Sequence, residues 1–534
     1  MNTNIQTTTV TPTGTSQKTR VPEQGFGTTK SNAVRDGLTK TLESKLSTPA
    51  TSPEFDLHAA TDDVLRDVGL TSADSGGKLS FYGSDPILPS SIRFGTAAAI
   101  GLAARSVALS ALWKQTTGEG QDISIDVRKA LRRFSGFFEG KWETINGRGP
   151  SPGGYGFSPF FTDFEHYFFR PTRDGRHMVA LDFYPGIRPR TLNFLGASES
   201  NESINKAIGK WDAVELENAA AEEGLVLAMV RTNEEFRREP QYTDVLSKMP
   251  LVTVEKIGES DPIPLKANGD NLPLAGIRAF GMGHVIAGGA MGRDMAFYGA
   301  DVLNIWRPRD SEIESFFWDV QVGMRSTILD DSKEDREKFN RLLQNADVFF
   351  ANKRPGFLKK HGLDAESLSA QKPGLIHATV VLHGEKGPWS NRPGFDEIGA
   401  AVSGLFAIEG SPAQPKQPPI VPICDNVVAW LGTTGILEAL RRRAIEGGSY
   451  RVVVSLTRVV LWQLSLGIFD KSYAKVTANS TDEHKHIAPD LFTAETPLGT
   501  YQGMTDQVVL SRTPGSFHTV LVPRGSSKPE WLAS

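Results

Sequence analysis

The run PPIVPICDNVVAWLGTTGILEALRRR, Pro418 to Arg443, carries one carboxylate, Asp425, to the point where an apolar, proline-broken segment turns into a helix. Beyond it, Val427, Val428, Leu431, Gly435, Leu437 and Leu440 recur at helical spacing. Two chemistries fit an acid in that place. It can cap the helix by accepting hydrogen bonds from the first free backbone N–H groups, or it can be a nucleophile held at a positive helix end. Cys424 beside it is a rival nucleophile, but no Cys–His pair accompanies it, and a lone cysteine commonly packs as a small core residue. Asp396, behind Phe395, is a second acid that can polarise a site or cap a helix. Gly153, Gly154 and Gly156 surround Tyr155 in a loop able to approach a ligand without Cβ clashes.

The elements that must position these residues follow from periodicity. The first 50 residues are polar and threonine-rich, a composition that predicts a flexible tail. An amphipathic pattern starts near Pro53, and SIRFGTAAAIGLAARSVALSALWKQ predicts a long small-residue helix, followed by the turn TTGEGQ and the strand DISIDV. Around Arg173-Asp174-Gly175 the alternation predicts a hairpin. The Pro/Asp-rich stretch 258–272 reads as a linker, after which strands and helices alternate in units that predict a parallel sheet wound with helices. Three parts result: a tail over 1–50, an N-terminal part over 51–262 and a C-terminal part over 263–534. No GxGxxG or Walker A loop supports a nicotinamide or a nucleoside triphosphate.

With 534 residues, 39% of them hydrophobic, the chain can bury more than one core. Lys+Arg 58 against Asp+Glu 62 gives no basic face for nucleic acid, no apolar run predicts a membrane span, and no metal site is expected. One cysteine excludes an internal disulfide and points to a reducing, cytoplasmic setting. LVPRGS at 521–526 is taken as native chain.

Helix, glycine turn and strand recur. GTTGILEALRRRAIEGGSYRVVVSL at 432–456 echoes RSVALSALWKQTTGEGQDISIDV at 105–127, which suggests an internal repeat. In that register Ala97 stands where the second copy has Asp425.

From residue 271 onward the motifs LPLAGIRAFGMGHVIAGGAMGRDMAFYGADVLNIWRP, MRSTILD, NADVFFANKRPGFLKKHGLD, KPGLIHATVVLHGEKGP, NRPGFDEIGAAVSGL and the Asp425 run closely resemble the family III CoA-transferases. That group includes formyl-CoA transferase, carnitine CoA-transferase and α-methylacyl-CoA racemase. The first half is similar to the same family's later portion, so the chain looks like a fusion in rearranged order. The resemblance implies an α/β fold: a Rossmann-like parallel sheet domain and a smaller α+β domain, arranged as an intrachain pseudo-dimer, with the protein acting as a monomer or as a homodimer.

It also implies CoA transfer between an acyl-CoA and a small carboxylic acid. The CoA thioester is then substrate, with no tightly bound cofactor. Asp425 takes the place of the family's nucleophilic aspartate. CoA contacts fall on His284, Val285 and Ala287, on Arg307, and on Asn352, Lys353 and Lys360, while Gly153, Gly154 and Tyr155 resemble the loop that shields the intermediate. Ile286 and Lys360 depart from the Gln and Arg common in the family's transferases. Phe395 stands where racemases carry a proton-abstracting histidine, which disfavours racemisation. An isomerase, racemase or lyase using the same pocket, and a non-catalytic member, are the alternatives.

Overall fold

The computed structural model describes residues 31–150, 168–266 and 271–533. Helix α1 (Ser31–Ser47) lies inside the stretch expected to be a flexible tail, and its Leu38 and Leu42 are buried. Two leucines four residues apart share one helix face, and burying that face outweighs the polar composition around it.

Strands β1 (Leu79–Tyr82) and β2 (Ile123–Asp126) pair in parallel. Between them runs α2 (Phe94–Thr117), the small-residue helix read from the sequence. It is long and apolar enough to cross a membrane, but its apolar window is wholly buried within the fold, as in a core helix. After β3 (Thr144–Ile145), β4 (Phe169–Pro171) and β5 (His177–Ala180) form the expected hairpin, and β6 (Leu227–Met229) completes a small antiparallel sheet.

The large sheet contains β7 (Thr253–Gly258), β8 (Arg278–Met282), β9 (Asp301–Trp306), β10 (Arg325–Ile328), β11 (Val348–Ala351), β12 (Ile376–Val381) and β13 (Ser449–Ser455). Their order is β10-β9-β8-β11-β12-β13-β7, and every pairing is parallel except β13 with β7. Counting from β8, the parallel strands run 3-2-1-4-5-6, a doubly wound order that reverses between β8 and β11. Every residue of β11 and β12 is buried, which is why VFFA and IHATVV lack polar alternation. Helices α3 (Ala287–Phe297), α4 (Pro355–His361), α5 (Asp396–Ser403), α6 (Asp425–Glu446) and α7 (Leu456–Ser465) follow strands or stand above their carboxyl ends.

Segments far apart in the chain interlock. β7 precedes the linker yet forms an edge of the large sheet. In the other direction, β14 (Leu491–Thr496) pairs with β15 (Gly499–Met504), β15 pairs with β3, and β16 (Val508–Leu510) pairs with β2. The LVPRGS segment packs against the fold: Leu521 is buried, and Gly525 N–H donates to Ser326 Oγ at 2.9 Å. Where α2 crosses α6, a Cβ on Gly101 would meet Trp430 Cε3 at 3.0 Å, so the glycine permits the close approach. Buried Arg105 on α2 pairs with Asp294 on α3 (3.2 Å) and with Asp506 beyond β15, tying three distant segments together.

Candidate active site

Asp425 is the first residue of α6. The helix mouth is capped from outside: Oδ2 of Asp396, the first residue of α5, accepts from Cys424 N–H at 2.6 Å and from Asp425 N–H at 3.1 Å. Of the two roles open to each acid, capping thus falls to Asp396. The Asp425 side chain caps nothing, and no described residue donates a hydrogen bond to its carboxylate. Buried and with Asp396 and Glu397 as neighbours, that carboxyl is pushed well above the usual aspartate range, burial being the larger cause. Burial, then Asp396 and Asp425, likewise drive the Cys424 thiol well above its ordinary value, and its Sγ points at the Leu456 carbonyl (3.6 Å). Cys424 is a core residue with little thiolate to offer.

Asp425 opens into a cavity of about 110 Å³ beyond the carboxyl ends of β8, β11, β12 and β13. Its walls include Val285 and Ala287 after β8, Asn352 and Lys353 after β11, Leu382 after β12, and Phe395. This is the place where the strand order reverses and where ligands of doubly wound sheets bind. The turn after β8 is locked to β11: Asn352 Nδ2 donates to the His284 carbonyl (2.7 Å), and His284 N–H donates to Asn352 Oδ1 (3.1 Å). Gly288 makes that approach possible, because a Cβ there would come within 2.6 Å of Asn352 Cγ. Val285 adopts φ +58, a strained conformation for a β-branched residue, and its N–H is held by Glu312 Oε2 at 2.6 Å. The other oxygen of Glu312 accepts from the Tyr184 hydroxyl at 2.7 Å. Phe183 and Tyr184 stack on Phe395, with centroids 5.0 and 5.8 Å away, so the small sheet's side of the molecule forms a wall of the site.

The predicted CoA contacts do not all meet in one place. Val285, Ala287, Asn352 and Lys353 share the cavity with Asp425. The His284 ring turns inward against Trp306 (4.4 Å, edge-on), and burial followed by the charge of Lys353 keeps it neutral. Arg307 pairs with Asp310 (2.8 Å), lies over the Phe357 ring and lines a second cavity of about 310 Å³ with His361 and Arg336. Lys360 is exposed on α4 and lines neither cavity. Gly153, Gly154 and Tyr155 lie outside the described residues. Lys353 is lowered to about 8, burial outweighing the pull of Asp310. Asp310 itself falls to about 2, because Lys353 and Arg307 overcome its own burial. Among the described residues no cluster of His, Cys, Asp or Glu could hold a metal ion.

Sequence reading missed Glu312, Tyr184 and Glu397. Only Glu397 carried a signal, as a second acid in FDEIGAAV, a helix otherwise small and apolar. Tyr184 and Glu312 are brought in from distant segments, and nothing local marks them.

Residues 274–511 match the family model described as CoA-transferase family III. The chain is 27% identical over 327 residues to the acetyl-coenzyme A transferase nodX of Hypoxylon pulicicidum, covering 56% of this chain and 54% of that protein. It is 30% identical over 242 residues to the succinyl-CoA–L-malate CoA-transferase alpha subunit of Chloroflexus aurantiacus, covering 41% of this chain and 56% of that one. Among solved structures, a CAIB/BAIF family protein from Brucella suis aligns at 27% identity with a TM-score of 0.33, over 39% of this chain and 56% of that one. The chain spans about half the length of the curated relatives it matches.

Proposed function

We propose that this chain, whose residues 274–511 belong to CoA-transferase family III, moves CoA between an acyl-CoA thioester and a small carboxylic acid with Asp425 as nucleophile. The observation that carries the reading is a buried carboxylate with no described donor of its own, opening into a cavity at the reversal of a doubly wound sheet. Desolvation leaves such a carboxylate poorly stabilised and therefore more nucleophilic. The thioester lies against the turn Val285–Ala287, with Asn352 and Lys353 on the facing wall.

In the first step the Asp425 carboxylate attacks the thioester carbonyl, the C–S bond breaks, and a mixed anhydride and CoA thiolate form. Thiolate attack on the aspartyl carbonyl of that anhydride releases the donor acid and leaves an aspartyl thioester. The acceptor carboxylate then attacks this thioester, expelling thiolate and forming a second anhydride. Thiolate attack on the acceptor's carbonyl gives the new acyl-CoA and frees Asp425. Phe395, stacked in the aromatic wall, has no group that takes up a proton, which favours transfer over α-proton abstraction. Packing of α2 on α6 within one chain, with only α6 carrying an acid in its own first turn, supports a pseudo-dimer with one such site per chain.

The test is incubation with acetyl-CoA or succinyl-CoA, hydroxylamine trapping, and mass analysis of the peptide bearing residue 425. A hydroxamate on Asp425, and loss of CoA release by at least about 10³-fold in Asp425→Ala, are expected. Full CoA release by that variant refutes the assignment, and α-proton exchange in deuterated water without CoA transfer supports the isomerase reading instead.

A further inference from the structure

We propose that Glu397 is held as a neutral carboxylic acid, donating its proton to Asp396 Oδ1, and that this bond positions the mouth of α6 for Asp425. The proposal rests on Asp425 being the reacting group. Asp396 uses Oδ2 for the N–H groups of Cys424 and Asp425. Its Oδ1 is buried and receives no hydrogen bond from a described backbone or ionised side chain. The adjacent Glu397 carboxyl, itself buried, is within hydrogen-bonding contact of Asp396. Two ionised carboxylates cannot bond each other. One proton between them satisfies the orphaned oxygen and removes a negative charge from a site that already holds a third acid, Asp425.

The direction of that proton follows from the surroundings. Asp396 has several backbone donors from the Ile423–Asp425 segment that favour its ionised form, whereas burial and the Asp396 charge act against an ionised Glu397 and outweigh the one backbone N–H, its own, that favours it. The other groups near this pair are Asp425 and Cys424 on α6 and Tyr184, whose proton goes to Glu312. Charges on the remaining elements around α5 are committed elsewhere. Arg231 pairs with Glu217, Arg176 with Glu235, and Arg458 donates to the Met249 carbonyl. Among the described residues, no cation acts on Glu397. Glu397 touches neither thioester nor acceptor in this arrangement; it is a positioning residue acting through Asp396.

Infrared spectra with ¹³C-glutamate labelling read the proton without any substrate. At pH 8 the wild type is expected to show a protonated-carboxyl C=O band that shifts with the label and is missing from Glu397→Gln. The amide of Glu397→Gln can still donate to Asp396 Oδ1, so CoA release from acetyl-CoA stays within a few-fold of the wild type. Glu397→Met leaves that oxygen unpaired, and kcat falls about ten- to hundred-fold with KM little changed. Absence of a band specific to Glu397, or an equal loss of rate in the Gln and Met variants, overturns the proposal. The infrared result stands alone should Glu397→Met fail to fold. It also stands should Asp425→Ala show that the transferase reading is wrong.

Discussion

Two buried helices, α2 and α6, begin in the same way and end up with different chemistry. At the mouth of α2, Asp85 reaches in from an upstream loop and accepts from Gly95 N–H (3.2 Å) and Thr96 N–H (2.6 Å). At the mouth of α6, Asp396 does the same for Cys424 and Asp425. Both capping acids are buried, and burial raises both. The first turn of α2 adds only Phe94, Gly95, Thr96 and Ala97, so one charge meets one positive helix end. The first turn of α6 adds a second carboxylate. Asp396 takes the N–H groups of Cys424 and Asp425, and no described backbone N–H donates to the Asp425 side chain, so that acid lacks the hydrogen bonds a capping residue receives. What sets the α6 terminus apart, and suits it to the proposed chemistry, is one acid more than its cap accounts for.

The largest separation between the two ends is expected from removing the caps. Asp85→Ala and Asp396→Ala each leave buried N–H groups unpaired and are expected to cost about 1–3 kcal/mol of stability, read by chemical denaturation. In CoA release they part company. Asp396→Ala lets the mouth of α6 move and is expected to lose about 10²-fold, since small misplacements of a reacting group have that scale of effect. Asp85→Ala, at the helix without an acid, should stay within a few-fold. Equal losses in the two variants would break the comparison.

How far this contrast was legible from sequence depends on the range of the contacts. Alternation of apolar runs with helices was enough to place β8 through β13 and to put Asp425 at a helix start, because those signals are local. It left open whether Asp425 or Asp396 does the capping. That is decided by a contact between residues 28 and 29 positions apart, which no periodicity reports. Leu38 and Leu42 show the same limit: their spacing marks a helix face, but only tertiary burial makes α1 worth forming. Val285 at φ +58 is legible only in structure, because a β-branched residue gives no hint of a left-handed conformation that Glu312 enforces.

A smaller effect is expected in stability against pH. The folded state holds the Asp425 proton more tightly than the unfolded chain does. Its contribution to stability is therefore present at low pH and is lost as pH rises through the raised folded-state value. Asp425→Asn, which cannot ionise, should be more stable than the wild type at pH 8 by about 1–2 kcal/mol. The gap should close below the ordinary aspartate range near ~4. Ala97, in the first turn of α2, has no charge to lose, and Ala97→Ser should show no such pH-dependent gap. Thermal melts from pH 3 to 9 decide it, and an Asp425→Asn gap that is flat with pH would mean the carboxylate is not destabilised.

The smallest effect joins the two helices rather than separating them. Gly101 on α2 faces Val427 and Trp430, the first turns of α6, and an added Cβ would sit 3.3 Å from Val427 Cγ1 and 3.0 Å from Trp430 Cε3. Gly101→Ala gains about 1 kcal/mol of helix propensity. Against that gain stands a contact tighter than ordinary packing, with partners that are both buried and cannot swing aside. The two terms nearly cancel, and the expected net change in stability is under about 1 kcal/mol. The strain, however, falls one turn from Asp425. CoA release is therefore expected to drop a few-fold while the melting temperature barely moves. An unchanged rate would show that the α2 contact leaves the placement of Asp425, the proposed nucleophile, to Asp396 alone.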